Sequence, residues 1–275
     1  MGKIIGICNQ KGGTGKTTTA VNLSAYLGLS HKKTLIVDMD PQGNATSGVG
    51  LDLENKNSIY DVITGKTSIG DSIYETHWPH LQIIPSSIEL TGGEVELVEI
   101  EERETRLREK IRPIKEKFDY IIIDAPPSLG LLTVNVLAAS DMLIIPIQCE
   151  YYALEGVSKL VNTIELIKER LNPDLEICGV LLVMADFRTR LTLQVIEEVR
   201  RFFKRKVFNI VISRNVKLAE APSFGKPICF YDRNCVGSKA YHTLAQEVIK
   251  YNLEDERFAY ANEKQRLDLE KEVST

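Results

Sequence analysis

The sequence has few cysteines and no long hydrophobic segment. Its five cysteines are scattered without a C-x-x-C pair, which argues against both a disulfide framework and a zinc ribbon. The longest uninterrupted apolar stretch, Ile177 to Ala185, is far shorter than the ~20 residues that span a bilayer. The N-terminus lacks the charged and then apolar layout of a signal peptide. These absences predict a cytoplasmic protein with reduced thiols.

A net positive charge is also absent, but the charge is unevenly distributed. The chain of 275 residues carries a formal net charge of −4, which by itself argues against a nucleic-acid partner. Between Met184 and Lys217, however, there are nine basic and three acidic residues. This local excess predicts a basic surface that nucleic acid can contact. Five of these cations fit equally well on the solvated face of an amphipathic helix, an alternative that the sequence leaves open: Arg200, Arg201, Lys204, Arg205 and Lys206.

Apolar runs alternate with amphipathic patterns along most of the chain. Seven short apolar runs are predicted to be strands: Lys3–Cys8, Thr34–Val37, Leu81–Ile84, Tyr120–Ile123, Met142–Ile147, Ile177–Met184 and Val207–Ile212. Six segments are predicted to be helices: Lys16–Leu29, Arg103–Lys117, Leu131–Ala138, Leu154–Leu171, Leu193–Phe203 and Ser238–Tyr251. Apolar strands separated by helices indicate a parallel sheet covered on both faces. We therefore predict a doubly wound, mostly parallel α/β fold, with one domain over residues 1–251 and an acidic C-terminal helix or tail over residues 252–275.

A glycine-rich loop follows the first predicted strand and leads into a predicted helix. It reads Lys11-Gly12-Gly13-Thr14-Gly15-Lys16-Thr17-Thr18. The general P-loop pattern G-x-x-x-x-G-K-[ST] requires glycine where this chain has Gln10, so the loop is a deviant version of it. Glycines allow backbone N–H groups to surround phosphate oxygens, and the helix N-terminus adds partial positive charge. We expect Lys16 to contact the β- and γ-phosphates, Thr17 to hold Mg²⁺ and Thr18 to contact the α-phosphate, in a fold of the P-loop NTPase type.

Aspartates end two of the predicted strands. Asp124 follows the apolar run 121–123 and fits a Walker-B acid that coordinates Mg²⁺ through water. Asp38 ends the run 35–37, and Asp40 lies in the loop that follows, where it can orient the attacking water. Taken singly, each acid is also compatible with a helix cap or a turn. Their presence beside a phosphate loop favours the catalytic interpretation.

Five segments of the sequence resemble one family. They are Asn9–Ala20, Asp38–Thr46, Asp124–Ser128, Glu150–Gly156 and Arg214–Pro227. All of them resemble the ParA/MinD family of deviant Walker-A ATPases, and within it the Soj-like chromosomal ParA proteins. The resemblance covers about residues 3–250. It implies a magnesium-dependent ATPase with ATP or ADP as its nucleotide, weakly active without a partner.

The resemblance also implies an ATP-driven sandwich dimer. Lys11 would reach across to the nucleotide of the other protomer, and Gly12 would have to stay small because two backbones meet there. Lys11, Lys16 and Asp40 would be the catalytic residues. The family's adenine contacts correspond to Ser213 and Asn215, although relatives commonly have Pro-Arg-Asn where this chain has Ser-Arg-Asn.

The branches of this family differ in what the dimer binds. Membrane-binding members carry a basic amphipathic C-terminal helix, whereas residues 247–273 here contain five basic and eight acidic residues. We therefore expect no membrane contact. Soj-like relatives instead bind DNA non-specifically through arginines that match Arg188 and Arg214 here. Arg190 and Lys217 lie, like these two, at predicted strand ends and loop starts that the doubly wound order places near one another.

The predicted function is a nucleoid-associated DNA-partitioning ATPase. ATP would close the homodimer, the dimer would bind double-stranded DNA of any sequence, and a ParB-type partner would stimulate hydrolysis and release. The alternative is an ATP-switched module that positions a non-DNA cargo at a cell pole or envelope. The nucleotide residues would be the same in both, so only the basic surface separates the two hypotheses.

Overall fold

A single eight-stranded sheet organises the computed structural model, which describes residues 2–97, 100–150 and 153–253. The strands are β1 (Lys3–Ile7), β2 (Thr34–Asp38), β3 (Tyr74–Glu75), β4 (Leu81–Ile84), β5 (Tyr120–Asp124), β6 (Met142–Gln148), β7 (Glu176–Ala185) and β8 (Val207–Ser213). Their spatial order is β3-β4-β2-β5-β1-β6-β7-β8. Every neighbouring pair is parallel except β3 and β4.

Helices cover both faces of this sheet. The helices are α1 (Lys16–Leu29), α2 (Asn44–Gly48), α3 (Ile59–Ile63), α4 (Leu90–Glu96), α5 (Arg106–Ile111), α6 (Leu131–Ala139), α7 (Ala153–Arg170), α8 (Arg190–Phe203), α9 (Val216–Glu220), α10 (Ile228–Tyr231) and α11, which is helical over residues 236–253. The predicted doubly wound α/β fold is therefore confirmed.

Consecutive residues of the central strands pack on opposite sides of the sheet. Ile4 and Ile121 belong to the buried cluster that includes residues of α6, α7 and α8. Their neighbours Ile5 and Ile122 belong to a second cluster with residues of α1 and α11. Because side chains alternate along a strand and both faces are buried, the strands are apolar throughout.

The structure departs from the predicted elements where proline and capping residues act. The predicted helix Arg103–Lys117 is wrong as a continuous helix: α5 ends at Ile111, and a 3₁₀ segment follows over Arg112–Lys117. Pro113 lacks an N–H group and disfavours helical geometry in the residue before it. By contrast, α8 begins at Arg190, earlier than predicted, because the Thr189 hydroxyl caps it by accepting from the Thr192 N–H.

The C-terminal part of the fold follows the predicted boundary closely. Helix α11 continues to residue 253, two residues beyond the boundary at 251. Residues 254–275 of the predicted acidic segment lie outside the described residues, so the division into domain and tail stays a prediction. Within the part that the structure describes, no helix has the length and apolar character needed to cross a membrane.

Candidate functional site

The glycine-rich loop connects β1 to α1 at the carboxyl edge of the sheet. Gly13 and Gly15 have φ values of 73° and 75°, a left-handed conformation that residues with a Cβ rarely adopt. The backbone carbonyl of Lys11 accepts hydrogen bonds from the Thr14 hydroxyl and from Lys16 Nζ, each at 3.2 Å. Hydrogen bonds within the loop thus hold its conformation.

Asn9 attaches this loop to the neighbouring strand β6. Its Nδ2 donates to the Pro146 carbonyl at 2.7 Å, and its Oδ1 accepts from the Lys11 N–H at 3.1 Å. The Asn9 side chain is almost fully buried. Sequence reasoning assigned it no role, because its partner Pro146 is distant in the chain.

Lys16 is the cation at the centre of the site. Its side chain is buried, and burial lowers the pKa of its ammonium, while the charges of Asp124 and Asp40 oppose that shift. A buried ammonium needs anionic partners. The phosphate groups of a nucleotide would supply them, as the motif predicts.

The two strand-end aspartates lie side by side. Asp38 of β2 is in register with Asp124 of β5, and Ile7 of β1 is in register with Asp124 on the other side. Both carboxylate oxygens of Asp124 are buried, and neither has a hydrogen-bond partner among the described residues. Burial and the charge of Asp38 raise the pKa of Asp124 well above its usual value, and the nearby Thr17 hydroxyl opposes the rise.

An orphaned buried carboxylate fits a divalent cation. Mg²⁺ prefers oxygen ligands and usually keeps several waters, so one carboxylate and one hydroxyl suffice on the protein side. Thr17 and Asp124 are the residues that would hold it. The bound cation would neutralise phosphate charge, and these two side chains would fix its position.

Asp38 and Asp40 have different surroundings. Asp38 Oδ2 accepts hydrogen bonds from the Thr46 N–H at 2.8 Å and the Thr46 hydroxyl at 2.7 Å, and its Oδ1 accepts from the Asp40 N–H. Burial raises the pKa of Asp38 to about 6, against the effect of these hydrogen bonds. Among the described residues, the Asp40 carboxylate accepts one hydrogen bond, from the Gln42 N–H at 3.0 Å. Asp38 therefore anchors the loop that presents Asp40.

A cavity of about 170 Å³ lies beside the phosphate loop. Gly15, Thr18, Ser213 and Asn215 line it together with the ring of Tyr241. Ser213 and Asn215 thus line a cavity next to the phosphate loop, and their contacts with adenine stay a prediction. Sequence reasoning missed Tyr241, whose hydroxyl hydrogen-bonds the Thr19 hydroxyl at 3.2 Å across 222 positions of the chain.

The amide of Asn215 has a fixed orientation in this cavity. Its Oδ1 accepts from the Lys217 N–H at 2.8 Å and caps α9. Because the oxygen is used in the cap, the amide nitrogen is the group left to donate to a ligand.

Lys11 and Gly12 are exposed at the surface of the loop. Lys11 Nζ lies 3.1 Å from Glu150 Oε2. A Cβ added at Gly12 would meet only the Pro127 Cβ, at 3.9 Å. Nothing within the described part of this chain therefore requires glycine at position 12.

The basic segment is divided between the two edges of the sheet. Arg188, Arg190, Arg214 and Lys217 follow β7 and β8 at the carboxyl edge, where the Arg214 N–H donates to the Ala185 carbonyl at 3.1 Å. Lys204–Lys206 instead precede β8, at the amino edge. Of the first group, Arg188 pairs with Asp186 at 2.6 Å, and Lys217 pairs with Glu220 at 2.9 Å.

We expect Asp124→Asn to raise the melting temperature of the ligand-free protein and to abolish the further rise produced by Mg²⁺ and ADP. The pKa of this acid is raised in the folded state, so its contribution to stability is present at low pH and is lost as the pH increases through the folded pKa. An amide removes the buried charge, which should be worth about 2–5 °C in a protein of this size. Scanning fluorimetry at neutral pH measures both effects.

Asp38→Asn is the matched control for this experiment. Its carboxylate accepts hydrogen bonds from Thr46 and Asp40, so its replacement should lower the melting temperature instead. A similar decrease in both variants would contradict the assignment of Asp124 to the cation.

Comparison with known proteins agrees with this geometry. A family model described as an AAA domain matches residues 2–177. The chain is 53% identical over 251 residues to the chromosome partitioning protein ParA of Myxococcus xanthus, covering 91% of this chain and 89% of that protein. It is 54% identical over 249 residues to the sporulation initiation inhibitor protein Soj of Bacillus subtilis, covering 90% of this chain and 98% of that protein.

Two solved structures share this fold, and one of them contains the expected ligands. Cobyrinic acid a,c-diamide synthase from Mycobacterium smegmatis with bound ADP and magnesium superposes with a TM-score of 0.80 at 31% identity, covering 91% of this chain and 95% of that one. The cell division ATPase MinD of Pyrococcus furiosus gives a TM-score of 0.77 at 28% identity, covering 91% and 99%. These matches confirm the predicted ATPase activity and the predicted cofactors, ATP or ADP with Mg²⁺. The phosphate loop, the paired aspartates and these relatives together show that the chain is an ATPase of the ParA/MinD family.

Proposed function

We propose that this ATPase partitions DNA: ATP closes a symmetric dimer, the dimer binds DNA of any sequence, and a ParB-type protein stimulates hydrolysis and release. The observation that carries the proposal is the position of Arg214. It lies between Ser213 and Asn215, and all three residues line the cavity beside the phosphate loop. A nucleotide bound in this cavity can therefore change the position of the Arg214 guanidinium directly. The names of the Myxococcus ParA and of a Treponema pallidum Soj, each called chromosome-partitioning, support this proposal.

The dimer part of the proposal is supported by the phosphate loop. Gly12 has room for a side chain within its own protomer. The dimer supplies a physical reason for glycine at this position, because the second protomer would occupy that space. Lys11 lies at the open side of the loop. In the closed dimer it would place its ammonium on the phosphates of the partner, as an arginine finger does in other NTPases.

The chemistry proposed for the dimer is attack of water on the γ-phosphate. Asp40 orients the water, and its loop is held by the bonds between Asp38 and Thr46. Lys16 and Lys11 stabilise the charge on the transferred group together with the cation. The partner protein would accelerate this otherwise slow step.

DNA binding is proposed at the carboxyl edge of β7 and β8. Arg188, Arg190, Arg214 and Lys217 would contact backbone phosphates, which carry no sequence information. Two of the four are paired with acids in the free chain, so one protomer alone offers a weak site. A dimer doubles the number of contacts and becomes a much stronger binder. Such a protein would be cytoplasmic and associated with the nucleoid.

Arg214→Glu tests the DNA part of the proposal. Wild type with ATP should bind a random-sequence duplex with a salt slope of several units, and binding with ADP should be much weaker. Each phosphate contact adds about 0.9 to the slope, so losing one per protomer should reduce the slope of the dimer by about 2. Fluorescence anisotropy at several salt concentrations measures this, with ATP affinity and dimerisation recorded alongside.

Arg112→Glu is the control, because it reverses an exposed charge in the 3₁₀ segment that follows α5. It should bind DNA like the wild type. If the wild-type protein with ATP does not bind DNA even at low salt, the proposed function becomes the positioning of a non-DNA cargo. If Arg214→Glu instead weakens ATP binding, Arg214 contacts the nucleotide, and the DNA contacts must be sought at Arg188 and Arg190.

A further inference from the structure

Lys11 is held within its own protomer by Glu150. Its Nζ lies 3.1 Å from Glu150 Oε2, and the two side chains are 45% and 47% exposed. Glu150 follows β6, the neighbour of β1, while Lys11 stands at the start of the phosphate loop after β1. The ion pair therefore crosses from one strand end to the next at the open side of the nucleotide site.

Both partners of this pair are anchored. Glu150 Oε1 accepts a hydrogen bond from the Gln148 side-chain amide, and the Glu150 N–H donates to the Gln148 carbonyl at 2.8 Å. The backbone of Lys11 is fixed by Asn9 and by the bonds that its carbonyl accepts from Thr14 and Lys16. Little additional ordering is needed to form the pair, so it is favoured over an ion pair between two free side chains.

The pair conflicts with the action proposed for Lys11 in the dimer. A carboxylate beside the ammonium cancels the charge that Lys11 would bring to the phosphates of the other protomer. Lys11 has to leave Glu150 before it can stabilise them. The same applies to both protomers, because the interface of a symmetric dimer uses each residue twice.

We infer that Glu150 is a positioning residue that retains Lys11 in cis and so restrains ATP-dependent dimerisation. This inference rests on the proposed function, in which Lys11 acts across the dimer. The restraint is released when the phosphates of a bound triphosphate on the second protomer outcompete Glu150 for the lysine. It disfavours a dimer in which either protomer lacks a triphosphate.

Glu150→Gln in an Asp40→Ala background measures the restraint without hydrolysis. An exposed ion pair shifts an equilibrium by up to about fivefold. Two such pairs are lost per dimer, so the ATP-dependent dimerisation constant should become tighter by about two- to twenty-five-fold. Sedimentation equilibrium gives the constant, and ADP affinity of the monomer should change by less than about twofold, since the pair is screened by water.

Glu104→Gln is the matched control. Glu104 pairs with Arg103 at 3.0 Å with side-chain exposures of 40% and 39%, so the control removes the same charge and a similar ion pair elsewhere. Its dimerisation constant should equal that of the parent. Gln148→Ala is a second test variant, since it removes the support of Glu150 and should tighten the dimer by a smaller factor.

Salt and a double-mutant cycle identify the mechanism. The difference in dimerisation constant between Glu150→Gln and its parent should decrease as added salt screens the ion pair. It should vanish when Lys11 is also replaced by alanine, because the restraint acts only through Lys11. An unchanged or weaker dimer in Glu150→Gln, or a full effect that survives in the Lys11→Ala background, overturns the inference. Failure of the Asp40→Ala parent to dimerise with ATP contradicts the proposed function instead.

Discussion

Lys16→Ala is expected to abolish nucleotide binding. The ammonium is buried between the phosphate loop and the aspartates, and no described neighbour has a cation in the same place. Charge-assisted hydrogen bonds to phosphate are worth about 1.5–3 kcal/mol each. The loss of two should weaken ATP binding by about 10²–10⁴-fold. Titration calorimetry with ATP and magnesium measures the affinity directly.

The folded state of this variant must be verified separately. Removing Lys16 also removes a charge that opposes the raised pKa of Asp124, so some loss of stability at neutral pH is expected. Circular dichroism establishes whether the fold persists. Lys32→Ala, before β2 at the opposite edge of the sheet, should bind ATP normally. An Lys16→Ala protein that is folded and retains wild-type ATP affinity would refute the assignment of the phosphate loop.

Asp40→Ala is expected to bind ATP and to lose hydrolysis. Alignment of the attacking water matters only in the transition state, so the affinity for ATP should be nearly unchanged. Loss of a positioned carboxylate typically lowers the rate by about 10²–10⁴-fold. The dimer should then persist with ATP and be visible by size-exclusion chromatography, while phosphate release gives the rate.

The local structure around Asp40 supplies a matched control. Asp40 Oδ1 accepts from the N–H two residues later, and exposed Asp52 makes the same turn with the Glu54 N–H at 3.1 Å. Asp52→Ala therefore removes an equivalent turn without touching the site and should hydrolyse ATP normally. If Asp40→Ala hydrolyses ATP normally, Asp38 or a backbone group must align the attacking water instead.

The elements that sequence predicted best are the buried parallel strands. Seven predicted strands lie within one residue of the observed ends, as β4 over Leu81–Ile84 illustrates. Such strands are apolar throughout, so their ends coincide with the first polar residue or turn. The short elements α2, α3, α9 and β3 were not predicted. A helix of five residues or a strand of two has too little periodicity to be recognised.

The phosphate loop was predictable because its requirements are local. Glycines at positions 13 and 15 adopt positive φ, and the lysine and threonines that follow stand at the start of α1. Backbone conformation, helix N-terminus and side chains all lie within one short segment. Their positions relative to a bound phosphate therefore depend little on the rest of the chain.

What the sequence by itself determined is the class of fold, the phosphate loop and the identity of the acids near it. The tertiary structure decided how those groups are paired. It distinguishes Asp38, which anchors Thr46, from Asp124, whose carboxylate has no hydrogen-bond partner in the described part of the chain. It separates Lys204–Lys206, which precede β8, from the basic residues that follow β7 and β8. It also pairs Lys11 with Glu150, which is 139 positions away. Strand order and register create these contacts, and a local pattern of residues contains neither.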